Sequence, residues 1–147
     1  MRAIRYQAAG GVVVDGGRVL VLRRPSRNEV RLPKGHIKKK ESRQEAALRE
    51  VTEESGYADL EVLADLGRQV VEYDYQGVHV VRDEYYYLMR LHSSRQVERE
   101  EQEFQFIPDW VDWDEALKKL TFEPEREWVR RARAAASKQA KVEQNAV

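Results

Sequence analysis

Residues 35–57 read GHIKKKESRQEAALREVTEESGY, and the rest of the chain is read outward from this stretch. Ser42 and Glu45 stand at capping-box spacing, in which each side chain caps the other's backbone N–H, so a helix begins here. Gly56 is the natural C-terminal stop. Between them Ala46, Ala47 and Leu48 favour helix, Val51 less so. At about 100° per residue, with Glu50 as origin, Glu53 falls at about −60° and Glu54 at about +40°. Three carboxylates share one arc, beside an apolar arc of Ala47, Val51 and Leu48. Like charges so spaced cost a bare helix about 0.2–0.5 kcal/mol per pair. A bound Mg²⁺ or Mn²⁺ would offset that cost, because these hard cations prefer carboxylate oxygen. A solvated acidic face is the other reading. Arg49, four residues before Glu53, is placed to orient it or offset its charge.

The residues just upstream favour the cation. Leu32-Pro33-Lys34-Gly35-His36 combines a rigid proline, a permissive glycine and two side chains suited to phosphate. Gly35 lets the backbone approach closely, so its carbonyl is a candidate ligand. Lys38, Lys39 and Lys40 add positive charge.

Gly35, Glu41, Arg49, Glu50, Glu53, Glu54 and Gly56, with Val51 and Tyr57 in the aliphatic and bulky slots, resemble the Nudix box of MutT-type hydrolases. All seven fixed positions are present. At background frequencies near 7% per residue, seven matches in one register have odds of roughly 10⁻⁸. The resemblance implies a mixed β-sheet sandwiched between α-helices and metal-dependent hydrolysis of a nucleoside diphosphate linked to another group. It makes Glu50, Glu53 and Glu54 metal ligands with the Gly35 carbonyl, Arg49 an orienting partner and Glu41 a support for the loop–helix junction. The carboxylate that takes the water's proton varies across the family; a glutamate of the later loop, Glu98, Glu100, Glu101 or Glu103, is a candidate general base, with Glu103 or Glu100 preferred. Pro33-Lys34-Gly35-His36 and the strand Asp83 to Met89 also resemble members that cleave dinucleoside polyphosphates. Lys34 and His36 would then face the polyphosphate and a tyrosine of the strand, Tyr86, would stack on adenine. Two positions depart from the pattern: Val30 stands where those relatives usually carry Trp, and Lys40 where many members carry Gly.

Working outward, the runs ending at Val14 and spanning Val19 to Leu22 flank Asp15-Gly16-Gly17 and read as a hairpin covered on both faces. Residues 23–29 read as a polar loop. Strands are expected at 60–66, 68–76 and 78–91, with a turn at Gln76-Gly77. Residues 93–103 read as a loop and Phe104 to Ile107 as a short strand. Asp112 starts a helix, and a last helix begins near Pro124 with Trp128, Ala132 and Ala135 on one stripe. Strands and helices mix without βαβ alternation, so the class is α+β. One domain is expected over 1–137, with 138–147 frayed.

Composition bounds the rest. The 147 residues are 41% hydrophobic and 35% charged, enough for one core. The absence of Cys excludes disulfides and Cys-ligated zinc. Three scattered histidines make no zinc cluster. No apolar run reaches membrane-span length, and no apolar leader opens the chain, so a cytoplasmic protein with no membrane partner is expected. Residues 1–40 carry 11 Lys/Arg against 2 Asp/Glu, residues 41–127 carry 10 against 23, and the remainder 5 against 1. A basic lead and an acidic middle suit an anionic ligand held through a divalent cation, and equally a mixed-sign surface. No nucleic-acid-binding motif accompanies the basic segment. The expected partner is a small nucleotide, the chain being a monomer or homodimer. ADP-ribose, a nucleotide sugar or an oxidised nucleoside triphosphate are the alternative substrates. A nucleotide-binding regulatory module is the non-enzyme alternative.

Overall fold

The computed structural model describes residues 2–146. Its elements are β1 (Arg2–Asp15), β2 (Arg18–Arg24), β3 (Glu29–Arg31), β4 (Lys34–His36), α1 (Arg43–Ser55), β5 (Leu60–Tyr75), β6 (Val78–Leu91), β7 (Ile107–Asp112), α2 (Trp113–Lys119) and α3 (Glu123–Asn145). Gly16 and Gly17, both with positive φ, close the β1–β2 hairpin in two residues, the twist that such hairpins need. The α1 capping box forms as its spacing dictates, with Ser42 Oγ accepting from Glu45 N at 3.0 Å and Glu45 Oε1 from Ser42 N at 3.1 Å.

The sheet is mixed. Its order is β3-β2-β1-β6-β5, with β4 also on β1 and β7 also on β2. β1 runs parallel to β6 from Arg2 opposite Val78 to Val14 opposite Arg90, and every other pairing is antiparallel. The second edge of β1 is divided. Its end turns into β2, while Ala8 to Gly10 pair with β4. That division inserts Lys34-Gly35-His36 beneath α1.

Both faces are buried, as the two-sided apolar runs require. Side chains alternate with period two. Ala9, Val13, Leu20, Tyr87 and Met89 pack with Ala46, Ala47 and Val51 of α1. Val12, Val19, Val21, Tyr86 and Leu88 pack with Ala116 of α2 and with Trp128, Val129 and Ala132 of α3. The architecture is therefore the expected α+β sandwich of a mixed sheet between helices.

Four local expectations need correction. The two strands expected at 60–66 and 68–76 are one, β5, with register shifts between Val62 and Ala64 and between Asp65 and Arg68. Gly67, at φ 92°, marks a bulge rather than a break. The polar loop after β2 holds a 3₁₀ turn at Pro25–Arg27 and then β3. Phe104 belongs to a 3₁₀ turn, Glu101–Gln105, and the strand begins at Ile107, where pairing with β2 becomes available. Residues 138–145, expected within a frayed tail, are helical. α3 continues to Asn145, where Glu143 accepts from Arg90 of β6 and from Gln139 at 3.3 Å. Among the described residues no helix is long and apolar enough to cross a membrane.

Candidate active site

The site is built where β4 passes under α1. Gly35 has no side chain because Glu50 occupies its space: a Cβ there would lie 2.1 Å from the Glu50 carboxyl carbon. The carboxylate therefore rests directly on the loop backbone. Glu54, one turn on, is fixed from the same loop, its Oε1 accepting from Lys34 N at 2.8 Å.

Arg49 organises the other side. Its Nε donates to Glu41 at 2.6 Å and its Nη1 to Glu50 at 2.7 Å and Glu53 at 3.1 Å. Its Nη2 donates to the His36 carbonyl at 2.9 Å and to Glu41 at 2.9 Å. All five donors of the guanidinium are used, which ties loop, helix start and carboxylates into one unit. Arg49 holds the Glu41 carboxyl well down, at about 2. Glu41 also accepts from Lys38 N at 3.0 Å, so it braces the loop–helix junction. Lys40 takes φ 69° in that loop: the lysine tolerates the left-handed conformation that glycine would adopt freely.

The electrostatics run the other way at the cleft. Burial, with the neighbouring Glu50 and Glu103 adding to it against the opposing Lys34, pushes Glu54 up to about 8. Burial also raises Glu50, and burial with Glu50 and Glu53 raises Glu103. Glu50 and Glu54 line a cleft of about 350 Å³ with Gly35, His36, Lys34, Lys38, Tyr6, Arg31 and Arg82. Two adjacent hard-oxygen donors whose negative charge is incompletely compensated fit a divalent cation. Among the described residues no three Asp, Glu or His groups converge at metal-binding spacing. Glu53 accepts from Arg49 and its side chain is 47% exposed, while Glu50 and Glu54 line the cleft beside Gly35.

Other predicted residues fall unevenly. His36 is exposed at the cleft mouth, its ring stacked on Tyr6 at 4.1 Å. Lys34 lines the cleft, and its ammonium lies 3.7 Å from the buried Glu125 carboxylate. Tyr86 contradicts its expected role outright. It is 0% exposed and stacked on Trp128 at 4.7 Å, so it offers no face to a base. Glu100 is exposed and accepts from Gln102, whereas Glu103 is half-buried and close enough to feel Glu50 and Glu53.

Several residues escaped the sequence reading. Arg99 Nη1 donates to the carbonyls of Glu54, Glu103 and Phe106 at 2.9–3.0 Å and pins the Glu103 loop to the end of α1. Glu125 accepts from Leu32 N and faces Lys34. Nothing local in the sequence signals either. Arg82 had a readable signal: Arg82, Glu84 and Tyr86 share one strand face, and two charges on a core face need a reason. Arg82 donates to Glu84 at 2.7 Å and to the Tyr6 hydroxyl at 3.3 Å.

Comparison with known proteins agrees with this layout. The NUDIX domain model matches residues 5–132. A provisionally named mutator protein, MutT4, of Mycobacterium tuberculosis is 34% identical over 139 residues, which cover 86% of this chain and 54% of that protein. The chain thus spans about half the length of that relative. The Ap4A hydrolase of C. elegans superposes with a TM-score of 0.65 at 23% identity, over 89% of this chain and 98% of its own. The MutT mutator protein of Bacillus halodurans superposes with a TM-score of 0.67 at 21% identity, over 85% and 80%. These two structures share the fold, and the family model shows the family: the chain belongs to the NUDIX domain family.

Proposed function

We propose that this chain hydrolyses a phosphoric anhydride bond in a substrate built on a nucleoside diphosphate, with Mg²⁺ or Mn²⁺ bound, and that a dinucleoside polyphosphate is preferred. One observation carries the reading: the Glu50 carboxylate rests on Gly35 beside Glu54, in a cleft whose walls include Lys38, Arg31, Arg82 and His36. A polyphosphate suits the cationic walls, and only an intervening cation reconciles it with the carboxylates. NUDIX hydrolases generally use a divalent metal.

When bound, the divalent ion neutralises phosphate charge and acidifies the attacking water. Glu50 and Glu54 would hold it. The chain supplies the rest. Arg49 fixes Glu50 and Glu53, and Glu41 fixes Arg49. Glu103, held by Arg99 at its carbonyl, accepts a proton from the water as its oxygen attacks phosphorus. The bridging P–O bond breaks and the departing phosphate carries the negative charge. The Tyr6–His36 stack at the cleft mouth offers the planar surface for a base that Tyr86 does not. The Leu32 to His36 loop, similar to that of dinucleoside polyphosphate hydrolases, supports the substrate class, and one fold relative is named an Ap4A hydrolase.

The test is a product analysis over a nucleotide panel with saturating Mg²⁺. The expected result is a higher kcat/KM for diadenosine polyphosphates than for dGTP, 8-oxo-dGTP or ADP-ribose. A ratio below one against any competitor overturns the substrate class, and no divalent-dependent cleavage of any of them overturns the hydrolase reading.

A further inference from the structure

A helix leaves its last carbonyls without partners of its own. At the end of α1 they are met by one short segment of the later loop. The Glu54 carbonyl accepts from Arg99 Nη1 at 3.0 Å, the Ser55 carbonyl from Gln96 Nε2 at 3.1 Å and the Gly56 carbonyl from Val97 N at 2.7 Å. Gly56 permits the approach: it has φ 85°, and a Cβ there would lie 3.2 Å from the Val97 carbonyl oxygen and 3.5 Å from Arg99 Cγ. A cation at this position also suits the negative end of the helix dipole. The end of α1 is thus capped by residues about 40 positions further along the chain.

The same nitrogen reaches on into the 3₁₀ turn at Glu101–Gln105. Arg99 Nη1 also donates to the Glu103 carbonyl at 3.0 Å and the Phe106 carbonyl at 2.9 Å, and the guanidinium lies 5.6 Å from the ring centroid of the exposed Phe104. The turn contains no buried residue, so little apolar packing holds it in place. Its own bonds, Glu103 N to the Glu100 carbonyl at 2.9 Å and Phe106 N to the Glu103 carbonyl at 3.0 Å, shape the turn but do not fasten it to α1. Arg99 does. Its hydrogen bonds all go to main-chain carbonyls, and among the described residues it makes no ion pair. One guanidinium nitrogen therefore joins the backbone of Glu54, whose side chain lines the cleft, to the backbone of Glu103.

We propose that Arg99 is a positioning residue, which sets the Glu103 carboxylate against the Glu50–Glu54 pair by clamping the 3₁₀ turn to the end of α1. The inference rests on the proposed hydrolase reading, in which Glu103 takes the proton of the attacking water. That proton passes to a Glu103 carboxylate oxygen as the water oxygen bonds to phosphorus, and Arg99 touches none of these atoms. It acts through the main chain of Glu103. A turn held by polar contacts moves when its clamp is removed, and a reacting group displaced by about 1 Å loses about 10²-fold in rate.

The test is a double-mutant cycle on the turnover of diadenosine tetraphosphate with saturating Mg²⁺. Arg99→Ala should lower kcat by about 10²-fold with KM little changed, and Arg99→Lys should recover part of the loss by returning a cationic donor. Arg99→Ala combined with Glu103→Gln should be no slower than Glu103→Gln alone, because the clamp has nothing left to position. A merely structural role would multiply the two losses instead. Amide hydrogen exchange of the metal-free protein gives a second readout: residues 101–106 should exchange faster in Arg99→Ala, and residues 46–51 of α1 at the wild-type rate. Circular dichroism checks folding, and Arg99→Lys takes the place of Arg99→Ala in the cycle if the alanine variant is unfolded. Multiplied losses, full turnover by a folded Arg99→Ala or Glu103→Gln protein, or unchanged exchange at 101–106 overturns the positioning role alone. No divalent-dependent cleavage by the wild type overturns the hydrolase reading, and the positioning role with it.

Discussion

Two helices press carboxylates onto the segment around β4, and they do so in opposite ways. From α1, Glu50 and Glu54 face the cleft side by side, and burial works against the charged form of each. From α3, Glu125 meets an opposite charge, Lys34, and the Leu32 N–H, at 2% exposure. The first arrangement leaves carboxyl oxygens open where a ligand can enter. The second closes on itself and fixes the loop that carries Gly35. The contrast separates a binding device from the scaffold that aims it, although both set glutamates of a helix against the same loop.

The sharpest way to break this contrast is to cut the closed pair. Glu125→Ala leaves the Lys34 ammonium buried without its carboxylate and should cost about 3–5 kcal/mol in urea unfolding. Lys34→Met with Glu125→Leu should recover most of that loss, since an apolar pair of similar volume replaces both charges. A cost below about 1 kcal/mol for Glu125→Ala would mean that the pair is not the scaffold described.

Next in size is the close approach on the open side. Gly35→Ala places a methyl against the Glu50 carboxyl group, and either helix or loop must move. Stability should fall by about 1–3 kcal/mol, and kcat/KM by about 10²-fold, as for a misplaced reacting group. Loss of stability with unchanged turnover would detach Glu50 from the chemistry.

The smallest effect concerns Glu41, and it follows pH. Its folded value, about 2, lies below the ordinary carboxylate range because of Arg49. A depressed folded value means that stability is present above pH of about 4.3, the unfolded value, and is lost as pH falls through about 2. For a partly solvated pair the contribution is about 1 kcal/mol. Glu41→Gln should therefore unfold in acid with a shallower slope than wild type between those limits. Identical acid-unfolding curves would remove Arg49 as the cause.

The same contrast explains what the sequence could disclose. Ser42, Glu45, Glu50, Glu54 and Gly56 lie within one helix, where spacing alone sets geometry, so the α1 side was legible. The hairpin and the two-sided burial of the sheet followed from local patterns too. Glu125 acts on Leu32 from 93 residues away, and no periodicity carries that information. Tyr86 misled because its row reads equally as core and as ligand surface; register against Trp128 decides it, and register is tertiary. The pairing of Lys34 was hidden for the same reason, its partner being on the last helix. Glu53 lies on the same helical arc, where it too accepts from Arg49.

The central claim is that the carboxylates resting on the Gly35 loop hold a divalent ion for hydrolysis. Mg²⁺-dependent turnover of diadenosine tetraphosphate by Glu54→Gln tests it most directly, because glutamine keeps the shape and removes the hard anion. The account predicts a loss of at least about 10²-fold in kcat, with the thermal unfolding midpoint of the metal-free protein unchanged or raised. Near-normal Mg²⁺-dependent turnover by a folded Glu54→Gln protein would contradict it.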